Sequence, residues 1–210
     1  MSFYTNVSRY GNSILYRGYA TNGVKVYKKD SFKPIFYTQT QKNMGWKSLD
    51  GNTIAPLEFD NMRESKQWLE MNKDVSGRTI YGNSNYIHQY ITSKFPKDIQ
   101  FKRELIDIGN IDIETEYNDG FPHPNIADQK ILSITYKSSK SNTYKVWAYG
   151  PYDIEKALIK PVEYIRCRDE ASLLSKFLDF WNHPVNCPDV ITGWNTRFFD
   201  MPYLINRTTR

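Results

Sequence analysis

The chain has 210 residues, 40% of them hydrophobic and 15% aromatic, with a formal net charge of +5; that is enough apolar material for one large domain or two small ones. No apolar run approaches the ~20 residues needed to cross a bilayer, which argues against a membrane-spanning helix. Its two cysteines, Cys167 and Cys187, have neither the paired spacing of a zinc site nor the density of a disulfide framework, and read as reduced structural thiols.

The N-terminus, Met1-Ser2-Phe3-Tyr4-Thr5-Asn6, lacks the basic start and apolar core of a signal peptide, so an intracellular protein without membrane partners is expected. Charge divides the chain: residues 1–104 hold 16 Lys and Arg against 9 Asp and Glu, and residues 105–210 hold 12 against 14. The first half is a basic module rich in rings and the second is mildly acidic. A basic, aromatic module suits an anionic partner such as nucleic acid, although a solvated lysine-rich surface has the same composition.

In chain order, residues 3–7, 13–19 and 24–28 read as strands, with turns at Gly11-Asn12 and Thr21-Asn22-Gly23. Pro34 precedes a strand at 35–38. Residues 41–56 read as loop, with a turn at Leu49-Asp50-Gly51-Asn52. Asn61 caps a helix expected to end near Gly77. A short strand at 79–81 precedes a second helix over 84–94, which Pro96 stops. Residues 1–104 are thus expected to form a small basic α+β domain. Lys25, Lys28, Lys29 and Lys33, interleaved with Tyr27 and Phe32, are its most basic patch, open to two readings: a nucleic-acid contact or a strand edge guarded by lysines.

From Glu104 the pattern changes. A strand is expected over 105–115, then strands at 130–136, 144–149 and 162–166. Asp169 opens a helix with Leu173, Leu174, Phe177, Leu178 and Trp181 at helical spacing. Residues 188–194 read as a buried strand, and Asn195 sits where a cap would open a last helix through Phe199 and Leu204. The order is β-β-β-(β)-α-β-α, an α/β domain over 105–210.

The strand Ile111-Asp112-Ile113-Glu114-Thr115 carries two acids two residues apart, so Asp112 and Glu114 share one face while Ile111, Ile113 and Thr115 share the other. Adjacent like charges repel, and acids in an apolar strand are costly unless they are paired or bind a cation; hard divalent cations take such oxygen ligands. The same letters recur at Asp153-Ile154-Glu155, but between Gly150-Pro151-Tyr152 and Lys156-Ala157-Leu158, a turn-like setting that carries no such implication. A third acid is expected at the carboxyl end of the alternating unit, where groups gather in open α/β sheets. Asp200 lies there, about a turn into the last helix. By itself Asp200 also reads as a first-turn acid complementing the helix dipole; with the acidic strand, the three acids are expected to converge on a metal site.

Asp112-Ile113-Glu114 resembles the first exonuclease motif of family B DNA polymerases, and Asn195-x-x-x-Phe199-Asp200 resembles the second. Phe101, Phe121-Pro122, Thr192-Gly193-Trp194-Asn195, Pro202-Tyr203 and Asn206-Arg207 resemble the replicative polymerases of T-even-like tailed phages, and the likeness covers essentially the whole chain. The resemblance implies a ribonuclease H-like 3′→5′ exonuclease domain, truncated, behind the basic N-terminal domain. It implies that Asp112, Glu114 and Asp200 ligate two divalent cations, Mg²⁺ or Mn²⁺, with Glu114 helping to orient the attacking water. Asn195 and Phe199 resemble positions that contact the single-stranded primer end, and Phe121 stacks on a base or anchors its loop. The third motif of the family, Tyr-x-x-x-Asp, has no counterpart here, and palm, fingers and thumb are absent, so weak or no hydrolysis is expected from this chain alone. The remainder of the polymerase would be supplied in cis or by a separate chain, in the cytoplasm of an infected bacterial host. The alternatives are a nucleic-acid-binding module, in which the basic half recognises the polymerase's own messenger RNA, and a structural piece of a split polymerase.

Overall fold

In the computed structural model the described residues are 2–118, 120–156 and 161–210, with Ile154 described by its backbone alone. They form two compact units, residues 1–102 and 103–210. Among the described residues no helix is long and apolar enough to cross a membrane.

The first unit begins with an antiparallel sheet of β1 (Phe3–Tyr10), β2 (Ser13–Tyr19) and β3 (Lys25–Ser31), with β2 central. A second sheet holds β4 (Ile35–Gln39), β5 (Trp46–Lys47), β6 (Thr53–Glu58) and β7 (Ile80–Tyr81) in the order β5-β6-β4-β7. Residues 41–56 are therefore not all loop. The turn at 49–52 is present, with Gly51 at φ +84° and its N–H bonded to the Ser48 carbonyl, and it closes a hairpin whose second strand pairs along the whole of β4. Pro56 hid that strand, since proline is tolerated only where the ladder needs no N–H. Helix α1 (Met62–Asn72) starts at the expected cap, the Asn61 side chain accepting from the Glu64 N–H, but stops before Gly77, with Asn72 turned back to donate to the Trp68 carbonyl. Helix α2 (Tyr86–Lys94) starts at Asn85, whose side chain accepts from the N–H groups of Ile87 and His88. Ile14, Tyr16, Phe36, Phe59, Met62, Tyr86 and Tyr90 form the core of this unit.

The second unit is one five-stranded sheet in the order β11-β10-β9-β8-β12. A 3-10 turn occupies Arg103–Leu105, so the acidic strand β8 starts late, at Ile108, and runs to Thr115. It pairs antiparallel with β9 (Ile131–Ser138), which pairs antiparallel with β10 (Tyr144–Ala148). Strand β11 (Val162–Arg166) lies parallel to β10, and β12 (Val190–Thr192) parallel to β8. A register shift between Glu114 and Thr115 leaves Thr115 only half-buried, off the regular alternation that buries Ile111 and Ile113. Helix α3 (Glu170–Asn182) opens at Asp169 as expected, its carboxylate accepting from the Ser172 N–H. Helix α4 (Asp200–Thr208) completes the layer. Ile111, Ile113, Ile134, Tyr136 and Trp147 from the sheet pack with Leu173 and Phe177 of α3 and Tyr203 and Leu204 of α4 in one core.

Two expectations fail in this unit. Residues 188–194 do not form a buried strand: β12 is three residues long, at the sheet edge, with Val190 46% and Ile191 39% exposed, because it is paired on one side only. Asn195 does not cap the last helix either. It takes a left-handed conformation (φ +59°) and its carbonyl accepts from the N–H groups of Phe198 and Phe199, making a separate turn after which α4 starts at Asp200 itself. The turn-like setting of Asp153 and Glu155 is observed, the Glu155 N–H bonding to the Asp153 carboxylate; Ala157 and Leu158 lie outside the described residues. Neither Cys167, which is buried, nor Cys187 forms a disulfide among the described residues.

Candidate metal centre

Strand alternation places Asp112 and Glu114, both exposed, on the sheet face opposite the core, across from Thr135 and Ser133 of β9. The other edge of β8 is covered by β12 only as far as Asn110, which faces Thr192. Beyond that point the ladder groups of β8 need other partners, and the turn 193–199 supplies them. The Thr196 hydroxyl, buried, donates to the Ile111 carbonyl at 3.5 Å, and Asp200 Oδ1 accepts from the Ile113 N–H at 3.2 Å. A Cβ at Gly193 would stand 2.2 Å from Thr196 Oγ1 and 2.5 Å from the Ile111 carbonyl oxygen, so only glycine lets the turn lie this close to β8.

Asp200 is 2% exposed and its Oδ2, also buried, has no hydrogen-bond partner among the described residues. Burial raises its pKa and the charge of Asp112 raises it further, while the hydrogen bond from the Ile113 N–H pulls it down; the net shift is upward. A buried carboxylate held beside a second one is the arrangement a divalent cation relieves, by supplying the missing ligand for the orphan oxygen and neutralising the repulsion. Of the three expected acids the structure thus brings Asp112 and Asp200 together. Glu114 lies on the same face as Asp112, yet among the described residues no group of three or more His, Cys, Asp or Glu side chains is gathered closely enough to hold a metal ion.

The expected nucleic-acid contacts also come partly together. Phe121, in the loop after β8 and 77% exposed, has its ring centroid 4.9 Å from that of Phe199, and Phe199 in turn touches Tyr203 at 5.4 Å. Asn195 shapes the turn through its backbone. Two exposed aromatics of the same turn were given no binding role by the sequence: Trp194, read as the end of a buried strand, is 92% exposed, and Phe198 is 69% exposed beneath the Arg197 guanidinium. Aromatic residues in sequence read as core by default, so nothing local marked them.

The loop that carries Phe121 is held from below by α4. The Tyr203 hydroxyl donates to the Gln129 carbonyl (2.7 Å), Asn206 to that of Pro124 (2.9 Å) and Arg207 Nη1 to those of Ala127 and Asp128. Arg207 also makes a two-bonded pair with Glu170 at the start of α3 (2.8 and 2.7 Å), and Glu170 accepts from the Ile131 N–H at 2.7 Å. Both partners are about 15% exposed. One pair therefore ties α3, α4, the head of β9 and the loop together.

A model of the family described as DNA polymerase family B, exonuclease domain, matches residues 58–210. The chain is 27% identical to the DNA-directed DNA polymerase of Escherichia phage RB69 and 24% identical to that of Enterobacteria phage T4, in each case over 98% of this chain and 25% of the relative. It spans about a quarter of the length of these curated relatives. With the acidic strand β8, the Asn195 to Asp200 turn and this match over most of its length, the chain belongs to the family B DNA polymerases.

Proposed function

We propose that this chain is the N-terminal and exonuclease portion of a phage-type replicative DNA polymerase, acting on the 3′ end of single-stranded DNA. The observation that carries the reading is the buried, unpartnered Oδ2 of Asp200 beside Asp112 at the uncovered edge of β8. The β-meander with parallel strands added at both edges supports a ribonuclease H-like fold for residues 103–210.

In this reading Asp112, Glu114 and Asp200 hold two divalent cations, Mg²⁺ or Mn²⁺. When bound, such a pair stabilises the attacking and leaving oxygens of an in-line displacement at phosphorus. Glu114, exposed like Asp112, orients the attacking water. Phe121 and Phe199 stack the terminal bases, and the Asn195 turn sets the path of the strand. Two gathered carboxylates hold cations weakly, so hydrolysis by the chain alone is slow; the rest of the polymerase, in cis or as a separate chain, would complete the site in the cytoplasm of an infected bacterial host. The test is Mn²⁺ titration followed by calorimetry, alongside degradation of 5′-labelled single-stranded DNA. Weak Mn²⁺ binding lost in Asp200→Asn supports the reading, and equal binding by wild type and variant refutes it. Fast 3′→5′ degradation abolished by Asp112→Ala would show that the site is complete as it stands.

A second reading, in which residues 1–104 bind single-stranded nucleic acid, the polymerase's own messenger RNA included, is favoured by a cavity in the first unit flanked by Lys28 and Lys94.

A further inference from the structure

Phe121 and Phe199 are held by different means. Phe199 directly precedes α4 and its ring lies 5.4 Å from that of Tyr203 on the same helix, so its place follows from the helix. Phe121 belongs to the connection between β8 and β9, and its ring is 77% exposed at 4.9 Å from that of Phe199. A ring so exposed buries too little surface to order the backbone beneath it. The spacing of the two rings therefore depends on what fixes the connection.

The last turns of α4 fix it. Asn206 donates to the Pro124 carbonyl at 2.9 Å, close to Phe121 in the chain, and the Tyr203 hydroxyl donates to the Gln129 carbonyl at 2.7 Å. The connection is also closed on itself, because Gln129 Oε1 accepts from the Asn118 N–H at 2.9 Å and the Glu116 N–H donates to the Lys130 carbonyl at 2.8 Å. Arg207 makes the most bonds of all: Nη1 donates to the carbonyls of Ala127 (3.1 Å) and Asp128 (3.0 Å), while Nε and Nη2 hold the Glu170 carboxylate. Ala127 is wholly buried at φ +46°, a left-handed conformation that an L-residue keeps only where its surroundings enforce it. A guanidinium presents its N–H groups in a fixed planar fork, whereas an ammonium is a point donor. Arg207→Lys therefore keeps the charge but does not span the carboxylate and both carbonyls together.

We propose that Arg207, with Asn206 beside it, is a positioning residue for single-stranded DNA: braced by Glu170, it latches the β8–β9 connection to α4 and so sets Phe121 at stacking distance from Phe199. The Arg207 side chain is only 15% exposed, which leaves little of it to meet a phosphate, so its effect on binding passes through the ring. This role rests on the reading of Phe121 and Phe199 as base-stacking groups and needs no bound cation.

The test is fluorescence anisotropy of the full chain with 5′-labelled oligo(dT), in EDTA to suppress hydrolysis, on wild type, Phe121→Ala, Arg207→Lys and the double variant. Phe121→Ala weakens binding about tenfold, the scale of one stacked base. Arg207→Lys weakens it by about three- to tenfold, up to the whole of that contact. The double variant binds within about twofold of Phe121→Ala, because the latch then has no ring to place. Circular dichroism checks that each variant is folded. Asn206→Ala, which removes only the bond to Pro124, shows the same dependence on Phe121 and decides the matter if Arg207→Lys does not fold. Equal binding by wild type and folded Arg207→Lys would overturn the role. So would a double variant whose loss is the product of the two single losses, since Arg207 would then act apart from the ring. In both of those outcomes wild type binds and the reading of the rings stands. No binding of oligo(dT) by wild type at low salt would overturn that reading and the latch with it.

Discussion

Asp200 Oδ1 accepts a hydrogen bond from the backbone N–H of Ile113, the one residue that lies between the two acids of β8. The bond exists because β12 ends at Thr192, leaving the edge of β8 past Asn110 without a strand partner. A side chain from α4 thereby takes the place of a fourth ladder residue, and a carboxylate is placed in a site where its second oxygen has no partner.

That division of roles separates two substitutions. Asp200→Asn keeps an acceptor for the Ile113 N–H and removes a buried charge repelled by Asp112, so in metal-free buffer it unfolds at a urea midpoint equal to or above wild type. Asp200→Ala leaves the Ile113 N–H buried and unpaired, at a cost of about 1–3 kcal/mol. Equal destabilisation by both would mean that the charge is not under strain.

Gly193→Ala places a methyl group within 2.5 Å of the Ile111 carbonyl, a backbone atom that moves only with β8. Overpacking of this kind costs about 1–3 kcal/mol and pushes Thr196 and Asp200 off the strand edge. Gly150→Ala, with nothing within 4 Å of the added carbon, changes stability by less than about 0.5 kcal/mol. Denaturant unfolding of the pair checks this; equal midpoints would show that the turn is not tightly seated.

The pair between Glu170 and Arg207 predicts an acid-sensitive step. Burial raises the pKa of Glu170, but the Arg207 bonds and the Ile131 N–H outweigh it and hold it below its ordinary value. A depressed carboxyl contributes stability that is present above its unfolded value near 4.3 and is lost as pH falls through the lower folded value. Wild type therefore loses stability below about pH 4.3 through this group, whereas Glu170→Gln, titrated by urea unfolding between pH 3 and 7, shows a flatter profile and a lower stability at pH 7. Arg207→Ala costs about 1–3 kcal/mol because it leaves a largely covered carboxylate with the Ile131 N–H as its remaining bond.

Phe121→Ala tests the exposed ring. Its side chain is largely in solvent and its main contact is Phe199, so thermal unfolding registers no more than the ~0.5–1.5 kcal/mol of one aromatic pair. Affinity for single-stranded DNA falls about tenfold, the cost of one stacked base. A large stability loss with unchanged affinity would make Phe121 an anchor of its loop instead.

How much of this was legible in advance followed the range of the forces involved. Asn61 and Asp169 were readable as caps, and 162–166 as a strand, because capping and strand preference act over a few residues. Alternation alone placed Asp112 and Glu114 on one face and buried Ile111 and Ile113 on the other. Residues 53–58 were lost to loop because their proline argues locally against a strand that long-range pairing with β4 permits. The apolar run of 188–194 was read as buried, but its burial depended on whether another strand lay outside β12, and among the described residues none does. The lysines of β3 looked like one patch because adjacency in sequence hides that neighbours in a strand face opposite ways. The candidate centre divides in the same manner. The sequence by itself determined that two acids share a strand face and that a third follows the last strand. Only the tertiary structure decided that Asp200 starts a helix, reaches the uncovered edge of β8 and keeps an oxygen without a partner, because that depends on where a neighbouring strand stops.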